Sequence, residues 1–204
     1  MSVHAWLVFA GFWALFVTTP GPNAVNCIAN GMAFGLPRAL WGVLGILTQA
    51  ALFLTLSAAG VAALLATAPT AFFWAKLVGA AVLIGLGVRS WRAAGKPAVA
   101  REVSGRSIYG RAFLIATVNA KSVAGYLAAF TQFVEPGVPV WSQMWVIAPT
   151  ALSLTALSYT GFTTLGALLG RLAMAAVLNR LVRRGLAVCF MLYGALLGLS
   201  AVAG

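Results

Sequence analysis

Two short stretches carry side chains that could act on another molecule, and both interrupt apolar sequence. Thr18-Thr19-Pro20-Gly21-Pro22-Asn23 sets two prolines, a glycine and an asparagine inside an apolar run. Each proline lacks a backbone donor and pushes the residue before it out of the α region, so a helix must kink or unwind there. Asn119-Ala120-Lys121 places an amide and a cation about ten residues into another apolar run, which begins after Arg111. The chemistry on offer is binding. A half-helix beginning beyond the Pro-Gly-Pro break presents free N–H groups and partial positive charge, suited to a carboxylate. Lys121 can add a full charge to that pocket, neutralise carbonyls freed by the other broken helix, or snorkel to an interface. Unwound carbonyls, with the Asn23 and Asn119 amides, can receive an ammonium group. The expected substrate-binding set is therefore Pro20, Gly21, Pro22, Asn23, Asn119 and Lys121. Gln49 is a secondary candidate, as are Thr150, Ser153, Thr160 and Thr164, which fall within about 80° of one helical face. Hydroxyls on membrane helices more often bond between helices than touch a solute.

The elements that must hold these residues follow from composition. Apolar residues make up 62% of the 204-residue chain and charged ones 7%, against about 25% charged in soluble domains. A soluble fold would lack surface, and a disordered chain would be less hydrophobic. The chain reads as an all-α, polytopic membrane protein. Six apolar segments are expected, at about Ala5–Met32, Ala39–Ala66, Phe72–Val88, Ala112–Phe133, Trp145–Leu169 and Leu186–Ala203. Each is near or above the length that crosses ~30 Å of hydrocarbon, where backbone groups must pair within the segment. The first and fourth contain the breaks.

Charge supplies a topology. Thirteen Lys and Arg face two acids, Glu102 and Glu135, for a net charge of +11. Arg38 lies between spans one and two. Arg89, Arg92, Lys96, Arg101, Arg106 and Arg111 flank or fill the link between spans three and four. Arg171, Arg180, Arg183 and Arg184 separate spans five and six. Eleven of the thirteen cations thus fall on one side, leaving only Lys76 and Lys121. By the positive-inside rule these loops are cytoplasmic and both termini lie outside. Cations spread this way fit topology better than a nucleic-acid partner. Trp6, Trp141 and Trp145 sit near outer ends, and Trp41 and Trp91 near inner ends, as interfacial anchors. Met1–His4 carries no Lys or Arg and no small-residue cleavage pattern follows, so the first segment is expected to be retained as a helix.

The breaks correspond in position. Gly11 precedes Pro20 by nine residues, and Gly110 precedes Asn119 by nine. Each break falls in the first helix of a three-helix half, and because three is odd the halves enter the membrane from opposite sides. Broken helices at matching positions of inverted halves point to the central site of a transporter. The expectation is one transmembrane domain over residues 1–204, with half-repeats at about 1–92 and 108–204 and a basic cytoplasmic loop at about 89–111. Gly31-x-x-x-Gly35, Gly166-x-x-x-Gly170 and Gly194-x-x-x-Gly198 suit close helix packing; they allow a homodimer without requiring one. Cys27 and Cys189, far apart in apolar segments, read as two small buried residues. An enzyme reading lacks paired intramembrane carboxylates, a histidine cluster or metal spacing, so neither cofactor nor metal is expected.

These residues also resemble a family. Pro20-Gly21-Pro22-Asn23 followed by Gly31, Gly35, Gly42 and Gly45 is similar to the N-terminal signature of the LysE/RhtB amino-acid exporters. Ala68-Pro69, Phe72, Lys76-Leu77-Val78-Gly79-Ala80-Ala81 and Gly85-Leu86-Gly87 extend the likeness, as do Asn119-Ala120-Lys121 and Gln132-Phe133. Alanine at 120 replaces the family's proline, and span four starts Gly-Arg-Ala where the family has Gly-Phe. The resemblance implies a secondary transporter of the bacterial inner membrane that exports amino acids or close derivatives by proton antiport. Another small metabolite or ion as cargo, or a channel or non-transporting membrane subunit, are the alternatives left open by the residues themselves. The partners implied are a small-molecule substrate and the lipid bilayer.

Overall fold

The computed structural model describes residues 1–67, 107–135, 137–177 and 179–203, with scattered helical positions between 74 and 92. Most of the third expected span lies outside the described residues, as do Lys76, Lys96, Arg101, Glu102 and Arg106. The described residues are all-helical apart from short links: α1 (Val3–Thr18), α2 (Pro22–Thr67), α3 (Ile108–Thr117), α4 (Ala120–Phe133), α5 (Val140–Leu169), α6 (Arg171–Val177) and α7 (Arg180–Ala203). Of these, Pro22–Val61 and Val140–Leu169 are long and apolar enough to cross a membrane, and α1 and α3 are shorter apolar helices.

Both breaks fall where the sequence places them. Thr19 is extended, at ψ 122°, as a residue before proline must be, and Pro22 opens α2 in the first-turn position that tolerates a missing N–H. The second break is a one-residue cap. Asn119 is extended and its side-chain oxygen accepts from the Lys121 amide at 3.1 Å, satisfying a donor that the helix start leaves unpaired.

α2 is bent back on itself. Gly35 sits at φ 69° and ψ 166°, a conformation open to glycine and strained for other residues. A Cβ at Gly42 would lie 2.9 Å from Asn30 Nδ2, although twelve residues of straight helix would separate the two by about 18 Å. The arms 22–34 and 36–67 are therefore antiparallel neighbours. The link between the first two expected spans is a single residue, Gly35, and Arg38 belongs to the first turn of the second arm.

Contacts fix the other directions. Trp6 and Trp13 donate to Thr150 and Thr155 at 3.0 Å each, and Ser158 donates to the Val17 carbonyl at 3.2 Å, so α1 and α5 run parallel. Asn23 hydrogen-bonds Tyr159, Cys27 pairs with Thr163, and a Cβ at Gly31 would approach Ala167 N at 2.9 Å. The arm 22–34 is thus parallel to α5 as well. Phe9 meets Phe133 at 5.4 Å and Trp13 meets Tyr126 at 5.2 Å between ring centroids, which sets α4 antiparallel to α1. Gly45 receives the α3 backbone at Tyr109 and Phe113. The two arms of α2 are thus antiparallel to each other and α4 is antiparallel to α1, while α1 and the arm 22–34 run parallel to α5. Thr155→Val should leave the buried Trp13 N–H unpaired and lower the melting temperature by an amount worth about 1–3 kcal/mol, measurable by thermal unfolding in detergent.

The glycine spacings serve packing within the chain: Gly31 and Gly166 let the arm 22–34 touch α5, and Gly194 meets Ala80 and Ile84. Trp6, Trp41, Trp91, Trp141 and Trp145 are all exposed. Cys27 is buried, but Cys189 is exposed on α7, and both are free thiols. Reading both cysteines as buried is corrected on that point: α7 turns Cys189 outward, with Leu192, Leu196 and Leu199 also exposed along it.

Candidate functional site

Two apolar clusters divide the helices, and a polar layer lies between them. The first cluster joins Phe9, Trp13, Phe16, Leu54, Tyr126 and Ile147, among others. The second joins Cys27, Val43, Ile46, Ala112, Ala116 and Tyr159. On every helical path polar residues lie between the clusters: Thr19 and Asn23 on the first, Gln49 on the arm 36–67, Asn119, Lys121 and Ser122 at the α3–α4 break, and Thr155 and Ser158 on α5. All but the half-buried Lys121 and Ser158 are buried. Polar groups cost free energy inside apolar surroundings unless they find partners, so a layer held at one level by four helical paths is a built feature.

The layer's centre is the meeting of the two breaks. Lys121 Nζ donates to the Phe16 carbonyl at 2.6 Å and to the Thr19 carbonyl at 2.8 Å, and lies 5.0 Å over the Phe16 ring. Its stem passes Gly21, where a Cβ would be 3.7 Å from Lys121 Cδ. The end of α1 leaves carbonyls without intrahelical donors, and those of Phe16 and Val17 find partners nearby. Thr18 and Thr19 hydroxyls donate back to Ala14 and Leu15 at 2.6 Å, Ser158 serves Val17, and Lys121 serves Phe16 and Thr19. A cation at a helix C-terminus also meets the negative end of the helix dipole. Of the three uses open to Lys121 in the sequence, the structure shows the carbonyl-neutralising one. Close by, α2 and α4 begin and α3 ends, so two helix N-termini and two C-termini share the layer.

The expected residues are therefore brought together in part. Pro20, Gly21 and Pro22 form the first break, Asn23 lies buried one residue beyond, and Asn119 and Lys121 join them from the second. Gln49 is buried in the same layer. Thr150, Ser153, Thr160 and Thr164 lie elsewhere. The buried face of α5 is Ile147, Ala151, Thr155, Tyr159 and Thr163, about 180° around the helix from those four. Ser153 is exposed, the other three are half-buried, and Thr150 accepts from Trp6. The physical reason is that hydroxyls satisfy themselves on backbone or neighbouring helices, so four on one face need not mark an inward face. Sequence reading missed Asn26, Asn30, Thr155, Ser158 and Thr163. Asn23, Asn26 and Asn30 at i, i+3 and i+7 of an apolar helix were the available signal.

Unpaired polar atoms remain within this region. Asn23 Oδ1, Asn26 Nδ2 and both amide atoms of Gln49 are buried without a hydrogen-bond partner. Among the described residues no group of three metal-ligating side chains occurs.

Comparison with known proteins places this architecture. A family model for the LysE type translocator matches residues 14–201. The chain is 33% identical over 174 residues to an uncharacterized membrane protein of Vibrio cholerae, covering 84% of this chain and 85% of that one. It is 28% identical over 200 residues to the homoserine/homoserine lactone efflux protein of Salmonella typhimurium, covering 97% of both. The leucine efflux protein of Salmonella choleraesuis is 28% identical over 168 residues, covering 80% of this chain and 78% of that protein. No solved structure matches the chain. Broken apolar helices, the polar layer at their meeting point and a match over nearly the whole length lead to one assignment: the chain belongs to the LysE type translocator family.

Proposed function

We propose that the chain is a secondary exporter of amino acids or close derivatives, working across the bacterial inner membrane by proton antiport. The observation that carries this reading is the Lys121 bridge: the ammonium of one broken helix held by the bared carbonyls of the other, at 2.6 and 2.8 Å, between two apolar clusters. A free amino acid carries the same two kinds of group, an ammonium and a carboxylate. Its carboxylate pairs with Lys121 and with N–H groups at the start of α2. As Lys121 turns toward it, the Phe16 and Thr19 carbonyls accept the solute's ammonium. One internal bond set is exchanged for an equivalent set with the solute, so both charges stay partnered in the apolar interior.

The topology proposed is six crossings in two inverted halves, with both termini outside. Its support is the order of parts. α1, a break, the arm 22–34, a turn and the arm 36–67 recur as α3, a break, α4, a turn and α5. The reversal of α2 at Gly35 and the one-sided cations agree with it. Neutral amino acids suit the site better than cationic ones, since the layer supplies no carboxylate.

The test is efflux and counterflow from preloaded proteoliposomes against a panel of amino acids, with and without an imposed proton gradient. Saturable counterflow of at least one amino acid, accelerated by protons outside, is expected. Flux that neither saturates nor exchanges would replace the carrier with a pore.

A further inference from the structure

The polar layer extends beyond the residues that hold a solute's two charges. Asn23, Asn26 and Gln49 are 4%, 2% and 1% exposed, and their amides leave four polar atoms without partners. The hairpin at Gly35 sets them side by side. Asn30 lies against Gly42. Seven residues back from Asn30 is Asn23, and seven on from Gly42 is Gln49. Seven residues are about two helical turns and return the same face, so Asn23 and Gln49 share a level on facing arms. Asn26 follows one turn along, at the level of Ile46, which packs in one cluster with neighbouring Cys27. The unpaired atoms comprise two acceptors, Asn23 Oδ1 and Gln49 Oε1, and two donors, Asn26 Nδ2 and Gln49 Nε2.

We propose that Asn23, Asn26 and Gln49 form a neutral amide subsite that takes an uncharged hydrogen-bonding side chain, a hydroxyl or a carboxamide, on the exported amino acid. The inference rests on the export reading and assigns the direction in which the solute lies. Its charged end sits at Gly21 and Lys121, and its side chain points along the arm 22–34 toward Asn26. A hydroxyl or carboxamide both donates and accepts, as this atom set requires. An aliphatic side chain of the same shape would leave all four atoms unpaired, and a charged one would find no opposite charge among the three amides. Sites built to bond a polar group reject the analogue that lacks it far more strongly than apolar pockets reject an extra methyl.

Threonine and valine, which differ by hydroxyl for methyl, provide the test, using counterflow in proteoliposomes with the full-length protein. The wild type is expected to favour threonine in kcat/KM by about 30-fold or more. Asn26→Leu and Gln49→Met are each expected to bring the ratio within about threefold, with melting temperature unchanged or raised, because apolar replacement removes unpaired buried groups. Equal wild-type rates would overturn the subsite and leave the export reading standing. A ratio unmoved in the variants, or a lowered melting temperature in both, would show amides that serve the fold or bind water only, and would overturn it too. Absence of counterflow with either solute, and with the wider panel, would overturn the export reading together with the subsite.

Discussion

Lys121→Met is expected to abolish counterflow and to destabilise the protein in the same step. The substitution keeps an unbranched side chain of nearly the same reach but strands two buried acceptors, the carbonyls of Phe16 and Thr19. At about 1–3 kcal/mol for each stranded group, the loss is roughly 2–6 kcal/mol, or on the order of 10 °C in melting temperature for a chain of this size. Lys121→Arg is expected to recover part of the stability and little of the flux. A planar guanidinium restores charge but spreads its donors over a fork, whereas the two carbonyls converge on one nitrogen. Melting curves in detergent and flux in proteoliposomes separate the two effects. Wild-type melting and wild-type flux in Lys121→Met would show that the bridge neither holds the breaks together nor meets the solute.

Gly166→Ala should be among the most damaging single methyls in the described structure. A Cβ at Gly166 would overlap the Ile28 carbonyl oxygen and lie 2.8 Å from Ile28 Cα. Those atoms are backbone of the arm 22–34, so relief requires moving a whole helix away from α5. The expected cost is about 3 kcal/mol or more, at the upper end for overpacked cores, seen as little folded protein after extraction. Gly161 lies on the same helix with nothing within 4 Å of its added Cβ. Gly161→Ala should be neutral or slightly stabilising, since alanine is the better helix former. Equal behaviour of the two variants would contradict the packing described between α2 and α5.

Much of this arrangement could be read without coordinates because its causes are local. Two prolines bracketing a glycine stop a helix wherever they occur, and a lysine deep in an apolar run must find partners. Both breaks therefore stood in the sequence, and so did the residues at them. The hairpin at Gly35 was only partly legible. Glycine followed by Pro37 and Arg38 signals a boundary, but nothing local says that one residue suffices to reverse the chain. The inward face of α5 was not legible. In lipid, both faces of a helix are largely apolar, so the usual contrast between polar and apolar sides fades, and four hydroxyls on the wrong face outweighed Thr155, Tyr159 and Thr163. The amides Asn26 and Asn30 needed the hairpin's register before their spacing from Asn23 acquired meaning. The outcome for span three, with Ala68-Pro69 and Lys76, lies outside the described residues.

The two dry clusters on either side of the amide layer have an electrical consequence. A membrane voltage falls mainly across its least polarisable material, so most of it drops over the aromatic packing around Trp13 and the aliphatic packing around Ile46. Protein in this conformation should pass no current, and a cell could hold many copies in an energised membrane without short-circuiting it.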